Sequence, residues 1–448
     1  MKTDTPSGVE QELGTLVETA MEKYHVPGVA VGITHGGEEL TAGFGVTSIE
    51  NPLPVTEHTQ FQIGSTTKTI TGTIAMRLVE KGRLDLDAPV RTYLPDLHLS
   101  DKDVAARITM RHLLTHTSGI LGDYFDDPSR GDDALERMVE IVATLPQLTP
   151  LGEFWSYCNA GFYLAGRVIE VITGQTYERV VQETILDPIG MDESFFFPED
   201  VMTHSFAVGH NVNEGETTVA RPWALPRVAH PAGGITNSVV DNLKYARFQM
   251  GNGTTEDGTQ ILSAESMRTM QTPALPTSNG NWMGITWMIQ DVGDTRIVGH
   301  GGGTNGQVSS FAMVPRQKFA VAVLTNAGEG MILQEVRDWA LRRYLDLVVP
   351  EPLPVQITVE KLSEYAGRYE AAAGTLLLEP EDGRLRVEII PKGGFPLPDS
   401  PPFPAVLIEG EGLLAVGDDV KGPLGEFIRD PEGNITWVRF GGRMHQRA

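Results

Sequence analysis

Three short segments carry side chains whose types and spacing could make and break an acyl bond. In FQIGSTTKTITG, Ser65 and Lys68 stand three residues apart, so on a helix both lie on one face, one turn from each other. A serine hydroxyl is a weak nucleophile and requires a base within hydrogen-bond reach. Lysine can be that base where burial disfavours its ammonium form. A helix N-terminus would also turn backbone N–H groups and positive dipole toward the oxygen that becomes negative in acyl transfer. The bland alternative is an N-capping serine followed by a surface lysine.

In FWSYCNAGF, Tyr157 and Asn159 are two apart, ahead of a helix opening at Ala160-Gly161. Extended backbone points such residues the same way, so a phenol and a carboxamide could face one cleft while Cys158 turns away to pack. An aromatic core turn with Asn159 as its N-cap would look the same. In IVGHGGGTNGQVSSFAMVP a strand ends at His300, and Gly301, Gly302 and Gly303 follow. Such glycines allow close backbone approach and a free N–H for an oxyanion. Residues 301–306 formally match G-x-G-x-x-G, but they precede a strand where a dinucleotide site requires a helix.

These segments need a scaffold, and the periodicities supply one. Apolar spacing at Leu13, Leu16, Val17 and Met21 predicts a helix over 9–24, followed by strand-like GVAVGITHGG and LTAGFGVTSIE with a Gly36-Gly37 turn. Ile70, Ile74 and Leu78 place one apolar face on a helix over 66–81, closed by Gly82. Helices are expected at 107–115, 132–145, 160–173, 176–186 and 238–250. Strands are expected at 284–290, 295–299, 307–314 and 319–325, then a helix near 330–346. The reading is an antiparallel sheet assembled from both ends of this region, with a helical block inserted. VVPEPLPVQIT reads as a linker, and the remainder alternates between short strands and acidic-Gly turns, enough for seven or eight antiparallel strands. The expected division is 1–350 and 358–448.

Other candidates read more plainly. His112 and His116 are four apart, but H-L-L-T-H lacks the glutamate a zincin uses as base, so a structural role is expected and no metal. The acidic cluster Asp123, Asp126, Asp127, Asp132 and Asp133 lacks a calcium-loop register and reads as a solvated loop. Trp155, Trp223, Trp282 and Trp287 lie near the motif segments and could line a cleft or fill the core.

The motifs in this order, Ser65-x-x-Lys68, Tyr157-x-Asn159, then His300 with its glycines, resemble the signature of penicillin-recognising serine hydrolases, within them the class C β-lactamase and D-Ala-D-Ala carboxypeptidase branch. LVEKGRLDLDAPVRTYLP, ITMRHLLTHTSGI and PAGGITNSVVDNLKYARF are similar too, and the resemblance covers roughly residues 10–347. It implies an α/β (α+β) β-lactamase/transpeptidase-like fold, followed by a small barrel resembling the lipocalin-like domain of some family peptidases and peptide-cyclising thioesterases. It further implies Ser65 as the acylated nucleophile, with Lys68 as proton acceptor or electrostatic partner. Tyr157 would relay the proton, Asn159 would bond Lys68 and the substrate amide, and His300 would orient the Tyr157 network. The N–H groups of Ser65 and Gly303 would form the oxyanion hole. Whether Lys68 or Tyr157 is the base stays open. One departure matters: His300-Gly301-Gly302 lacks the threonine that β-lactam-binding relatives use to hold a substrate carboxylate. Its absence weakens the case for β-lactamase or strict carboxypeptidase activity and leaves open esterase, amidase or aminopeptidase action on small or D-configured acyl substrates; the alternatives are a thioesterase or peptide cyclase that transfers the acyl group to an amine, and a non-catalytic penicillin-binding sensor.

The 448 residues carry a net charge of −24, with 35 basic against 59 acidic side chains. The acidic excess falls on both halves of the expected division, which disfavours nucleic acid and acidic lipid as partners and leaves a small-molecule or peptide substrate. A homo-oligomer is compatible with this reading, and no cofactor is implied. The single cysteine excludes an internal disulfide, and no signal peptide or membrane span is visible. A cytoplasmic protein is expected, or an exported one whose leader is absent.

Overall fold

The two strand-like runs near the N-terminus pair as an antiparallel hairpin, Gly28–His35 against Glu38–Gly45, with Gly32 opposite Thr41. This is a computed structural model describing residues 6–255, 257–372, 374–392, 401–417 and 421–448. The first strand also pairs with Phe319–Thr325, which pairs with Val308–Val314 and then Thr295–Gly303. Met288–Val292 and the short strands Trp282–Met283 and Leu275–Pro276 complete an eight-stranded antiparallel sheet. Both ends of the region thus build one sheet, as the periodicity implied.

Both faces of the central strands are covered. Val29, Val31 and Ile33 pack with Leu13 and Val17 of the helix Pro6–Tyr24 and with Ile332 and Val336 of Met331–Leu345. The opposite face, with Ala30, Ala320, Ala322 and Leu324, joins a larger core built on the inserted helices. Strands covered on both sides read as continuous apolar runs, which is why Phe319–Thr325 is buried throughout.

Three expectations need correction. The helix Thr67–Glu80 is not amphipathic in the way Ile70, Ile74 and Leu78 suggested: every residue from Thr67 to Met76 is buried. Its threonines are satisfied internally, Thr71 by Tyr177 and the Pro231 carbonyl, Thr73 by the Thr69 carbonyl. The helix expected over 107–115 is restricted to Met110–Leu114, because Ile108 is extended and Thr109 caps the helix together with His112. The strand expected over 284–290 breaks at Thr286, whose φ is 64°, and runs instead over Met288–Val292.

The C-terminal strands close an eight-stranded barrel, sealed where Tyr369 of Gly367–Glu370 meets Arg447 of Arg443–Arg447. Its interior holds Tyr369, Leu376, Leu385, Phe427 and Val438. The proline-rich segment ends by pairing with it, Val355 N–H donating to the Leu407 carbonyl at 2.9 Å. The turn between Ile435–Phe440 and Arg443–Arg447 packs against residues 155–157: Tyr157 N–H donates to the Gly442 carbonyl at 2.8 Å, and Arg439 Nε to the Trp155 carbonyl at 3.0 Å. Among the described residues, no helix is long and apolar enough to cross a membrane.

Candidate active site

Ser65 sits in a 3₁₀ turn, Gly64–Thr66, that runs directly into the helix Thr67–Glu80. Gly64 has φ 51°, and a Cβ there would stand 2.6 Å from Gly303 N. A Cβ on Gly302 would stand 1.9 Å from the Ile63 carbonyl oxygen. Only glycine on both sides lets the strand Thr295–Gly303 come this close to the serine turn. Ser309, on the neighbouring strand, donates to the Ile63 carbonyl at 2.8 Å and fixes the approach.

Lys68 is fully buried, and its Nζ has three oxygen neighbours: Ser65 Oγ at 3.0 Å, Asn159 Oδ1 at 2.7 Å and the Ala232 carbonyl at 2.5 Å. Burial pushes its amine well below the usual lysine range, and the Arg443 charge adds to that effect. Two of the three neighbours are carbonyl oxygens, which only accept. A neutral amine has two N–H groups and one lone pair. Giving both protons to Asn159 and Ala232 leaves the lone pair facing the Ser65 hydroxyl.

Tyr157 and Asn159 reach the same point from the start of the helix Asn159–Thr173. Cys158 is the N-cap: its sulfur accepts from Gly161 N at 3.3 Å and packs away from the cleft, and burial raises its thiol. Asn159, expected as a possible cap, is instead the first helical residue. Burial raises the Tyr157 phenol, against a smaller opposing effect of its hydrogen bond with Ser65, so the hydroxyl keeps its proton. The His116 ring stacks on Tyr157 with centroids 4.2 Å apart, and its Nδ1 accepts from Cys158 N at 3.0 Å. His112 spends its Nδ1 on Thr109, so the histidine pair is structural, although His116 supports the site directly.

His300 is buried beside this group, with its ring 6.3 Å from Tyr157. Its Nδ1 bonds the Gly301 carbonyl at 2.5 Å, and its Nε2 has no partner among the described residues. Burial and the nearby Lys68 push it down to about 3, which keeps the imidazole neutral. His300 is therefore adjacent to Tyr157 and not hydrogen-bonded to it.

Two residues were missed from sequence. Asp123 is not part of a solvated loop: its Oδ1 accepts from Asn159 Nδ2 at 3.0 Å, and both its oxygens accept from Arg443, at 2.9 and 3.0 Å. Arg443 comes from the barrel, and its guanidinium lies 4.8 Å from the Tyr157 ring centroid. The other acidic residues of that cluster do pair near the surface, Asp133 with Arg137 and Asp132 with Arg227. Of the tryptophans, Trp155 packs with Tyr157 and Met283, whereas Trp287 is core, stacked on Tyr245. Trp223 lines a surface cavity of about 360 Å³ that none of Ser65, Lys68, Tyr157, Asn159 and His300 lines. Among the described residues, no group of three or more His, Cys, Asp or Glu side chains could hold a metal ion.

The family profile described as beta-lactamase matches residues 13–345. The chain belongs to the beta-lactamase family. It is 33% identical over 365 residues to penicillin-binding protein 4 of Amycolatopsis lactamdurans, covering 79% of this chain and 95% of that one. The crystal structure of SurE superposes with a TM-score of 0.77 at 25% identity, covering 99% of this chain and 100% of SurE. The octameric penicillin-binding protein homologue from Pyrococcus abyssi gives a TM-score of 0.68 at 26% identity, over 95% and 97% of the two chains. A class C beta-lactamase from Rhodobacter sphaeroides shares the fold with 75% of this chain, at a TM-score of 0.63. Membership of the beta-lactamase family thus attaches to the sheet and inserted helices that carry Ser65, while the likeness to SurE extends through the barrel.

Proposed function

We propose that the chain is a serine acyl-transfer hydrolase that acts on amide or ester bonds of small or D-amino-acid-containing peptide substrates through an acyl-enzyme on Ser65. The observation that carries this reading is the polarity around Lys68, in which two carbonyl acceptors leave the lone pair for the serine proton. Lys68 takes the Ser65 proton as Oγ attacks the substrate carbonyl. The N–H groups of Ser65 and Gly303 hold the oxyanion. Tyr157 gives its proton to the leaving group as the tetrahedral intermediate collapses, and recovers one from Lys68. Water then repeats the sequence in reverse on the ester. Asn159 positions Lys68 and offers its amide edge to the substrate, and His300 stands beside Tyr157 as a neutral wall. An amine in place of water would give transfer or cyclisation from the same acyl-enzyme, and product analysis with added D-amino-acid amides separates the two.

The proposal divides the chain into a catalytic unit, 1–350, and a lipocalin-like barrel, 358–448. A homo-oligomer is proposed on the likeness to a homologue described as octameric. The test is intact-mass analysis after a fluorophosphonate, on the wild type beside Ser65→Ala. One adduct on the wild type and none on the variant is expected; an equal adduct on both, or none on either, sinks the reading. Nitrocefin should turn over far more slowly than p-nitrophenyl esters, since the threonine hydroxyl that would hold its carboxylate is missing.

A further inference from the structure

We infer that Asp123 and the barrel residue Arg443 form a positioning pair that sets the orientation of the Asn159 amide, and through it the direction in which the Lys68 lone pair points. The inference rests on the proposed role of Lys68 and adds a requirement to it: the barrel completes the centre.

An amide group has a donating and an accepting end, and only its surroundings decide which way it faces. Asp123 as a carboxylate accepts only, so the NH₂ of Asn159 must face it, at 3.0 Å. The Asn159 oxygen must then face Lys68, at 2.7 Å, and demands an N–H from it. With the Ala232 carbonyl demanding the second, the lone pair is assigned to Ser65. Everything therefore depends on the Asp123 carboxylate staying in place. Arg443 holds it there by gripping its two oxygens in a bidentate pair, the geometry that matches a guanidinium to a carboxylate. Arg443 is itself held in place by its own turn: Gly442 accepts from Tyr157 N at 2.8 Å, and Met444 N donates to Ser156 Oγ at 3.3 Å.

The charges are arranged to match. The ionisable groups around Lys68 are Tyr157 and Cys158 from the start of their helix, His116 and Asp123 from the loops before it, His300 from the sheet, and Arg443 from the barrel. Arg443 pushes the Lys68 amine down and Asp123 pushes it up, so the pair is close to neutral as seen from Lys68, while its orienting effect remains.

The two halves of the pair predict opposite pH shifts, which a merely structural role would not produce. The experiment follows the rate of fluorophosphonate acylation and ester hydrolysis against pH for the full-length Arg443→Gln, Asp123→Asn and Arg439→Gln, with thermal melts as a check of folding. Arg439 serves as the docking control, because it bonds the Trp155 and Thr277 carbonyls and not Asp123. Removing Arg443 leaves an unpaired carboxylate near Lys68, so the acid limb of the profile should move to higher pH. Removing the Asp123 charge should move that limb to lower pH. Both variants should lose about tenfold or more in maximal acylation rate with KM changed much less, whereas Arg439→Gln should leave the limb in place. Equal limb shifts in Arg439→Gln and Arg443→Gln, limbs moving the same way in Arg443→Gln and Asp123→Asn, or wild-type rates in Arg443→Gln would each overturn the inference. Failure of the wild type itself to label on Ser65 would instead defeat the proposed function.

Discussion

Two buried clusters of ionisable side chains share the four-residue turn His230–Gly233 and come to opposite ends. On one side, the Ala232 carbonyl accepts from Lys68, whose contacts are carbonyls and a hydroxyl. On the other, His230 Nδ1 lies 2.7 Å from Glu178 Oε1, and Arg227 donates to both carboxylate oxygens of Glu178 at 3.0 and 3.2 Å. Burial alone would raise the Glu178 carboxyl, but the hydrogen bonds from His230 and Arg227 outweigh it and hold the group down at about 2. Among the described residues Lys68 has no carboxylate in contact, so burial wins and its amine is pushed down. The comparison separates reactivity from stability: a buried carboxyl in contact with cationic donors is held ionised, and a buried amine whose contacts are carbonyls and a hydroxyl is pushed toward its neutral form.

The sharpest way to break that contrast is to remove the amine. Lys68→Met should lower fluorophosphonate labelling of Ser65 by about 10³-fold, the range general-base catalysis contributes, while the melting temperature holds or rises, since an apolar side chain replaces a buried amine. A variant that labels at the wild-type rate would pass the role of base to another group.

Glu178→Gln acts on the inert cluster. Because the folded carboxyl ionises more readily than in the unfolded chain, its contribution is complete above its ordinary value of 4.5 and fades as pH falls toward 2. Loss of the charge also takes the Glu178 anion away from the half-enclosed Arg227, which keeps only Asp132 as a carboxylate partner, and from the buried His230 ring. The variant should be about 3 kcal/mol less stable at pH 7 by denaturant unfolding, with the deficit shrinking in acid. A deficit that is constant from pH 7 to pH 3 would show that the pair is not what the carboxylate stabilises. Labelling of Ser65 should fall less than in Lys68→Met, because the turn carrying Ala232 is loosened and not removed.

The difference between the two clusters also accounts for what could be read from sequence. Ser65, Lys68, Tyr157 and Asn159 were legible because each pair is local, at the spacing of one helical turn or one strand repeat, and the structure brings the two pairs into contact. The antiparallel sheet and the closed barrel were legible from apolar alternation and turn chemistry. Asp123 was not, because an aspartate among four others looks solvated until a partner arrives from the far end of the chain. Arg443 belongs to a β-rich segment whose alternation says which residues face the barrel interior and nothing about what its turns touch. The Ala232 carbonyl has no side-chain signature at all. The burial of the helix Thr67–Glu80 was hidden by its threonines, which read as polar but bond the carbonyls of their own helix or, as Thr71 does, tertiary partners.

His300 gives the mildest test. Held at about 3, it carries no charge above pH 5, so in the wild type it adds nothing to the Arg443 charge that Lys68 already feels. His300→Asn should therefore leave the acid limb of acylation where it is and change the maximal rate by tenfold at most, the scale of one hydrogen bond. His300→Lys should do the opposite: an ammonium beside Lys68 disfavours a second positive charge, and the limb should move to lower pH. If the limb stays put in His300→Lys, the ring position lies too far from Lys68 for charge to pass between them, and the site is tuned by burial and the Asp123–Arg443 pair alone.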